Sequence, residues 1–245
     1  MARFFVGTSG WNYRNWRGSF YPENLPAKKY LHFYAQHFRS AEVNYSFYHL
    51  PRAATYENWF ATVPDDFVFA LKLSRYITHI KRLNDVKEAW NEFLKGARTL
   101  KHKLGPILLQ FPPSFKGNGE NLRRIEDFLG YASKDDVRLA LEFRHESCFA
   151  APMLATLREH RAALVIPHSS RFPIPEIVAT GEFVYFRFHG PREWCSSCYS
   201  DADLGHWARA IKSFMHRGFD AYAYFNNDAR GDAAPNAKFL GSLIV

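Results

Sequence analysis

Glu142 and Arg144 stand two apart at the end of an apolar run, and Arg187 and His189 repeat the arrangement further along. In an extended chain residues i and i+2 share a face, so each pair can look into one pocket. There Glu142 would act as a general base, kept ionised by the adjacent guanidinium, and Arg144 would clamp a substrate carboxylate or phosphate. His189 titrates near neutrality and suits a general acid, with Arg187 as a second anion ligand. The competing structural role is a charge network filling the upper layer of a core. Lys72 and Glu42 end two other runs. An inward ion pair is expected of them; the alternative is a Lys72 amine of lowered pKa acting as a nucleophile, as Schiff-base lysines do.

The amides of Asn44, Gln110 and Asn226 and the carboxylate of Asp228 are of the kind that orient a polar substrate, while Asn227 should point outward and form a turn. Thr8-Ser9-Gly10-Trp11 is a small-residue turn whose backbone N–H groups could hold an anion while Trp11 stacks on a ring. Gly190, after His189, would let a ligand approach the backbone. Cys195-x-x-Cys198 alone is a weak metal signal. Inert thiols are the default, with a disulfide or redox pair as one alternative. The other is a metal site completed by Cys148 and His168. A multinuclear nuclease-type centre would need more inward ligands than Glu42, Glu142, His168 and His189. A metal-independent site is therefore expected, and no cofactor can be named.

These residues need strands that end together. Eight apolar runs supply them: Phe4 to Thr8, Ala41 to Asn44, Phe67 to Leu73, Ile107 to Phe111, Val137 to Arg144, Ala163 to His168, Phe183 to His189 and Ala221 to Asn226. Alternation sets Glu42, Lys72, Gln110, Glu142 and Arg187 against an opposite face of Val43, Leu71, Leu109, Leu141 and Phe186. Helical periodicity fills the gaps, at Ala27 to Phe38, Arg52 to Val63, Asp85 to His102, Asn121 to Tyr131, Ala151 to His160, Asp201 to Arg217 and Ala234 to Leu243. The segment after His168, with Pro173 and Pro175, is too short and proline-rich for a full helix. Eight βα units in 245 residues predict an α/β fold, a single (β/α)₈ TIM-type barrel over 1–245, with the polar residues at its C-terminal mouth.

Several segments in order resemble the DUF72 (YecE-like) family almost end to end. They are Gly7-Thr8-Ser9-Gly10-Trp11 with Phe20-Tyr21-Pro22, Val43-Asn44 followed by Phe47-Tyr48 and Pro51, Gln110-Phe111-Pro112-Pro113, Glu142-Phe143-Arg144-His145, Arg187-Phe188-His189-Gly190 and Tyr224-Phe225-Asn226-Asn227-Asp228. The resemblance implies a TIM-type barrel and no assigned chemistry; nucleic-acid proposals for the family rest on likeness to the endonuclease IV barrel. Cys148, His168 and the Cys195/Cys198 loop depart from the family pattern.

Lys and Arg number 32 against 24 Asp and Glu, a formal charge of +8. That balance favours an anionic partner, although a basic surface kept for solubility would look the same. The segment Lys72 to Arg82, with Arg75, Tyr76, His79 and Lys81, could be a patch for phosphates or bases, or an ordinary solvated loop. No apolar stretch reaches the roughly 20 residues of a membrane span, and Met1 to Gly7 lacks the pattern of a secretory signal. A cytoplasmic protein with no membrane partner is expected, and oligomeric state is not legible. The leading expectation is a metal-independent enzyme acting on a phosphorylated or nucleotide-like anion; the alternative is a nucleic-acid-binding protein that uses the same rim without catalysis.

Overall fold

The computed structural model describes residues 1–244. Eight strands, β1 (Phe4–Thr8), β2 (Ser40–Val43), β3 (Val68–Lys72), β4 (Leu104–Gln110), β5 (Leu139–Glu142), β6 (Ala163–His168), β7 (Phe183–Phe188) and β8 (Asp220–Phe225), pair in parallel in the order β1-β8-β7-β6-β5-β4-β3-β2. They make a nearly closed barrel. Between them lie α1 (Tyr30–Ala35), α2 (Tyr45–Tyr48), α3 (Ala53–Thr62), α4 (Lys87–Ala97), α5 (Gly119–Ala132), α6 (Ala151–Glu159), α7 (Asp201–His216) and α8 (Ala233–Ile244). The predicted helix from Asp85 to His102 divides after Ala97, where Arg98–Lys103 tightens into 3₁₀ turns around Lys101 at φ 50°. The proline-rich connection 169–182 stays irregular, as its composition predicts. Tyr76–Ile80 is a π-helical turn rather than an open loop. Among the described residues no helix is long and apolar enough to cross a membrane.

Alternation sorts the strand residues into two apolar layers. Val43, Leu71, Leu109, Leu141 and Phe186 pack outward under the helices. Inside the barrel, Ala70, Ala140 and Ala163 leave the volume that Tyr185, Tyr222 and Tyr224 fill. Small residues facing large ones let the interior reach crystal-like density without strain.

One irregularity decides which side of β4 faces the site. Phe69 pairs with Leu104 but Leu71 pairs with Ile107, so β4 carries an extra residue at Gly105-Pro106. Pro106 has no N–H to give a ladder, and a bulge is where a strand proline is tolerated. The bulge inverts the phase. Leu104 packs under the helices, whereas Leu108 points into the barrel and Gln110 follows it to the mouth.

The seam between β1 and β2 is closed by a side chain. Tyr34 on α1 accepts from the Thr8 N–H at 2.8 Å and donates to the Ser40 carbonyl at 3.0 Å. The strands abut because residue 7 is glycine: a Cβ there would lie 2.1 Å from the Ser40 carbonyl oxygen.

Candidate active site at the mouth of the barrel

Arg187, the penultimate residue of β7, is the hub of the upper barrel. Its Nε and Nη2 donate to the two oxygens of Glu42 at 2.9 and 2.7 Å, and Nη1 donates to Glu142 Oε2 at 2.5 Å. Tyr185, two residues earlier on the same inward face, donates its hydroxyl to Glu42 Oε2 at 2.7 Å. Arg144 Nε donates to Glu142 Oε1 at 3.1 Å. Glu42, Glu142 and Arg187 are at most 1% exposed, so each charge depends on the others for its solvation. Burial would push the Glu142 carboxyl up, but Arg187 and Arg144, with Lys72, outweigh it and hold it well below the usual carboxylate range. Burial likewise opposes the Arg187 charge, and Glu142 and Glu42 overcome that opposition.

This arrangement revises two sequence expectations. The ion pair expected between Lys72 and Glu42 does not form, because both Glu42 oxygens are already taken by Arg187 and Tyr185. Glu142, strongly ionised with a guanidinium on each oxygen, has little basicity left for a general base. His189 does stand beside it, 3.9 Å from Nε2 to Oε1, and is 1% exposed. Burial, then Arg187, drives its pKa well below the usual value, so the ring is neutral and ill-suited to donate a proton as an acid.

The tautomer of His189 follows from its neighbours. Nε2 faces Arg187 Nη1 at 3.2 Å, and a guanidinium only donates, so Nε2 accepts and Nδ1 carries the proton. Nδ1 meets the Asn226 amide at 3.1 Å, and Cys195 Sγ lies 3.4 Å from the same amide nitrogen position. Both contacts are satisfied if the amide is turned to present its oxygen. Burial pushes the Cys195 thiol up to about 11, so it is protonated and able to donate there.

Lys72, the last residue of β3, sits apart from this network. It is 8% exposed, and among the described residues its ammonium forms neither an ion pair nor a hydrogen bond. The Phe47 ring lies 4.2 Å from it to the centroid, and Glu142 and Glu42 favour its charge without touching it. Burial and the Arg187 charge lower its pKa to about 7. His79, from the π-helical turn, packs edge-on against the same Phe47 ring at 5.0 Å and reaches Gln110 Nε2 at 3.5 Å. Burial and Lys72 lower its pKa to about 4.

The cover of the mouth comes from loops. Trp194 stacks on His189 at 4.5 Å, and the Arg144 guanidinium lies 4.6 Å from the Phe172 ring and 5.2 Å from Trp194. Arg144 keeps its two terminal nitrogens without a hydrogen bond among the described residues. It is the partly exposed cation of the site. Tyr185 was within reach of the sequence pattern, since it alternates with Arg187; Phe47, His79, Phe172 and Trp194 lie in connections where periodicity says nothing.

The other predicted site residues differ in how they are held. Asn44 is half-buried and donates to the Ser9 carbonyl at 3.0 Å, leaving its own oxygen unpartnered. Gln110 donates to the Phe111 carbonyl at 2.7 Å. Asp228 is half-buried, and burial raises its pKa. The Thr8 hydroxyl faces outward to the Gly10 carbonyl and Tyr34. Trp11 packs against Trp59 and Phe69 on the outer layer at 5.6 and 5.9 Å, so it cannot stack on a ligand in the mouth. Of the turn they belong to, the Thr8 and Ser9 N–H groups are already bonded to Tyr34 and to the Phe225 carbonyl. The space beside Gly190, at φ 102°, is filled by its own loop, with the Glu193 carbonyl 2.5 Å from where a Cβ would sit. Asn227 is buried and ties Ser197 to Asn236 rather than forming a solvated turn.

The four-ligand idea fails on geometry. Cys148 is buried against the Phe115 carbonyl, His168 points outward to Tyr199 and Trp207, and Cys198 lies by Asn236. All three cysteines are free thiols. Among the described residues no three His, Cys, Asp or Glu side chains are grouped to hold a metal.

Comparison with known proteins places this architecture. The chain is 28% identical to the UPF0759 protein YunF of Bacillus subtilis (strain 168), covering 98% of this chain and 94% of that protein. A shorter match, 30% identical, joins 48% of this chain to 42% of the UPF0759 protein YecE of Escherichia coli (strain K12). The crystal structure of a DUF72 family protein from Thermotoga maritima MSB8 superposes with a TM-score of 0.89 at 28% identity, covering 99% of each chain. A DUF72 family protein from Enterococcus faecalis V583 shares the fold, with a TM-score of 0.81 at 23% identity over 100% of this chain and 98% of that one. The family model described as "Protein of unknown function DUF72" matches residues 5–244. With that match running almost from end to end on a shared barrel, the chain belongs to the DUF72 family.

Proposed function

We propose that the chain is an enzyme acting on a small anionic molecule, phosphorylated or nucleotide-like, at the C-terminal mouth of its barrel, by chemistry that uses no resident metal. One observation carries this reading. Arg187 is neutralised by two buried carboxylates, whereas Arg144 and Lys72 face the mouth with binding capacity left over. Arg187, Arg144 and a partly protonated Lys72 against two carboxylates leave a positive excess in a low-dielectric cleft, which attracts an anion and strengthens its contacts. Arg144 would take the anion, Lys72 would lie beside it, and Asn44, Gln110 and Asn226 would orient the remainder. Glu142 and His189 serve this reading as positioning groups: one fixes both arginines, the other fixes Arg187 and Asn226.

The test is thermal melting of the full chain with inorganic phosphate, mononucleotides and sugar phosphates at moderate salt. A rise in Tm that Arg144→Met abolishes is expected. If no probe moves Tm, the reading is lost.

A second reading is favoured by the rim. Tyr45, Tyr48 and Tyr76 are exposed there beside Arg75 and half-exposed Lys81. Rings and cations so mixed suit a single strand of nucleic acid bound without chemistry. Oligonucleotide binding that falls steeply with salt, with no response to small phosphates, would select it.

A further inference from the structure

The protein contains its own control for what a buried lysine does. Lys103 is 2% exposed, and its ammonium donates to the Phe60 and Val63 carbonyls, each at 2.8 Å. Asp65 lies 3.4 Å away. Every demand of that charge is met, as expected of a structural lysine. Lys72 is buried nearly as deeply, yet among the described residues it has no hydrogen bond or ion pair, and the Phe47 ring lies against it instead. It ends a barrel strand on the inward face, where catalytic groups of this architecture gather. The two carboxylates that could neutralise it are fixed on Arg187 by three hydrogen bonds.

We propose that Lys72 is a nucleophilic amine that condenses with a carbonyl group of the mouth's substrate, so that the substrate class is a small aldehyde or ketone carrying a carboxylate or phosphate. This rests on the anion-binding reading above and adds the reacting bond. A lysine is activated for this role by desolvation and by a neighbouring cation; burial and Arg187 are the two largest influences that lower the Lys72 pKa, to about 7. Half of the groups are then neutral amine at neutral pH. Arg144, partly exposed and with both terminal nitrogens available, would hold the anionic end. Gln110, at the end of the strand beside β3, is placed to orient the carbonyl.

The step balances without an oxidant or reductant. The neutral Lys72 nitrogen attacks the carbonyl carbon, a C–N bond forms, and one amine proton passes to the oxygen to give a carbinolamine. The C–O bond then breaks and the oxygen leaves as water with the second amine proton. Amine and carbonyl become an imine and one water.

The experiment treats the full chain at pH 7 with glyoxylate, and separately with pyridoxal 5′-phosphate, in the presence of cyanoborohydride, and maps the reduced adducts by peptide mass spectrometry. Lys72 should be labelled about tenfold or more faster than the exposed lysines and than Lys103, because none of these combines burial with an adjacent guanidinium and an absence of hydrogen-bond partners. Its labelling rate should rise with pH to a half-maximum near 7. Lys72→Arg should lose that adduct, while Lys103→Arg should leave it in place. Labelling of Lys72 no faster than that of surface lysines overturns the amine; if phosphate still stabilises the chain, the anion site survives that failure. Selective labelling with no stabilisation by any anion supports the amine and removes the anion reading instead.

Discussion

Arg187 grips Glu42 side-on, with Nε and Nη2 on separate carboxylate oxygens at 2.9 and 2.7 Å, where neither side chain is more than 1% exposed. A fork this complete serves as a fixed part of the barrel rather than as a hand waiting for substrate. Its removal should therefore be read first as stability. Arg187→Met leaves Glu42 buried without a cation and Glu142 with Arg144 alone, and should cost roughly 3–5 kcal/mol. Urea unfolding at pH 7 measures it, and Arg187→Lys should recover little because an ammonium cannot reproduce the fork. A loss below about 1 kcal/mol would mean that water solvates these carboxylates.

Lys72→Met should make the protein more stable. The ammonium is charged in both states below about pH 7, so the full cost of burying it is felt there. Between about 7 and 10 the unfolded chain binds more protons than the folded one, and stability rises with pH. The substitution should add roughly 3–5 kcal/mol at pH 6 and flatten that rise. Unfolding curves at pH 6, 8 and 10 decide it; a variant weaker than the parent at pH 6 would show that the ammonium has a partner.

The acid side has the opposite slope. His189 is held neutral in the fold and His79 is lowered to about 4, while an unfolded histidine takes its proton near 6.5. Stability from these two is present above that pH and falls as pH drops below it. Glu142, held ionised, adds a further loss that begins below the ordinary carboxylate pKa of about 4.3. His189→Gln should therefore shallow the decline between about pH 6.5 and 5 while leaving the steeper loss at lower pH. An unchanged slope would place the proton uptake elsewhere.

Tyr34→Phe tests the seam. The hydroxyl joins the Thr8 N–H to the Ser40 carbonyl inside a buried layer, so removing it strands both groups and should cost about 1–3 kcal/mol. Hydrogen exchange should accelerate selectively at the Thr8 amide. Protection unchanged at Thr8 would mean that the strands close without the tyrosine.

The alternation of side chains along extended runs was enough to set the architecture. Glu42, Lys72, Gln110, Glu142 and Arg187 were bound to share the barrel interior once their neighbours Val43, Leu71, Leu109, Leu141 and Phe186 demanded cover. That is a local property, fixed by a backbone period of two. Which carboxylate meets which cation is not local. Glu42 pairs with Arg187, 145 residues away, instead of Lys72, because side chains of an eight-stranded barrel reach across its axis and compete for the same oxygens. The same limit hid the outward turn of Thr8 and Trp11, the loop that fills the space beside Gly190, and the separation of Cys148, His168 and Cys198. Sequence determined the barrel and the inventory of its mouth; only the packed structure decided that Arg187 would take both carboxylates and leave Lys72 without one.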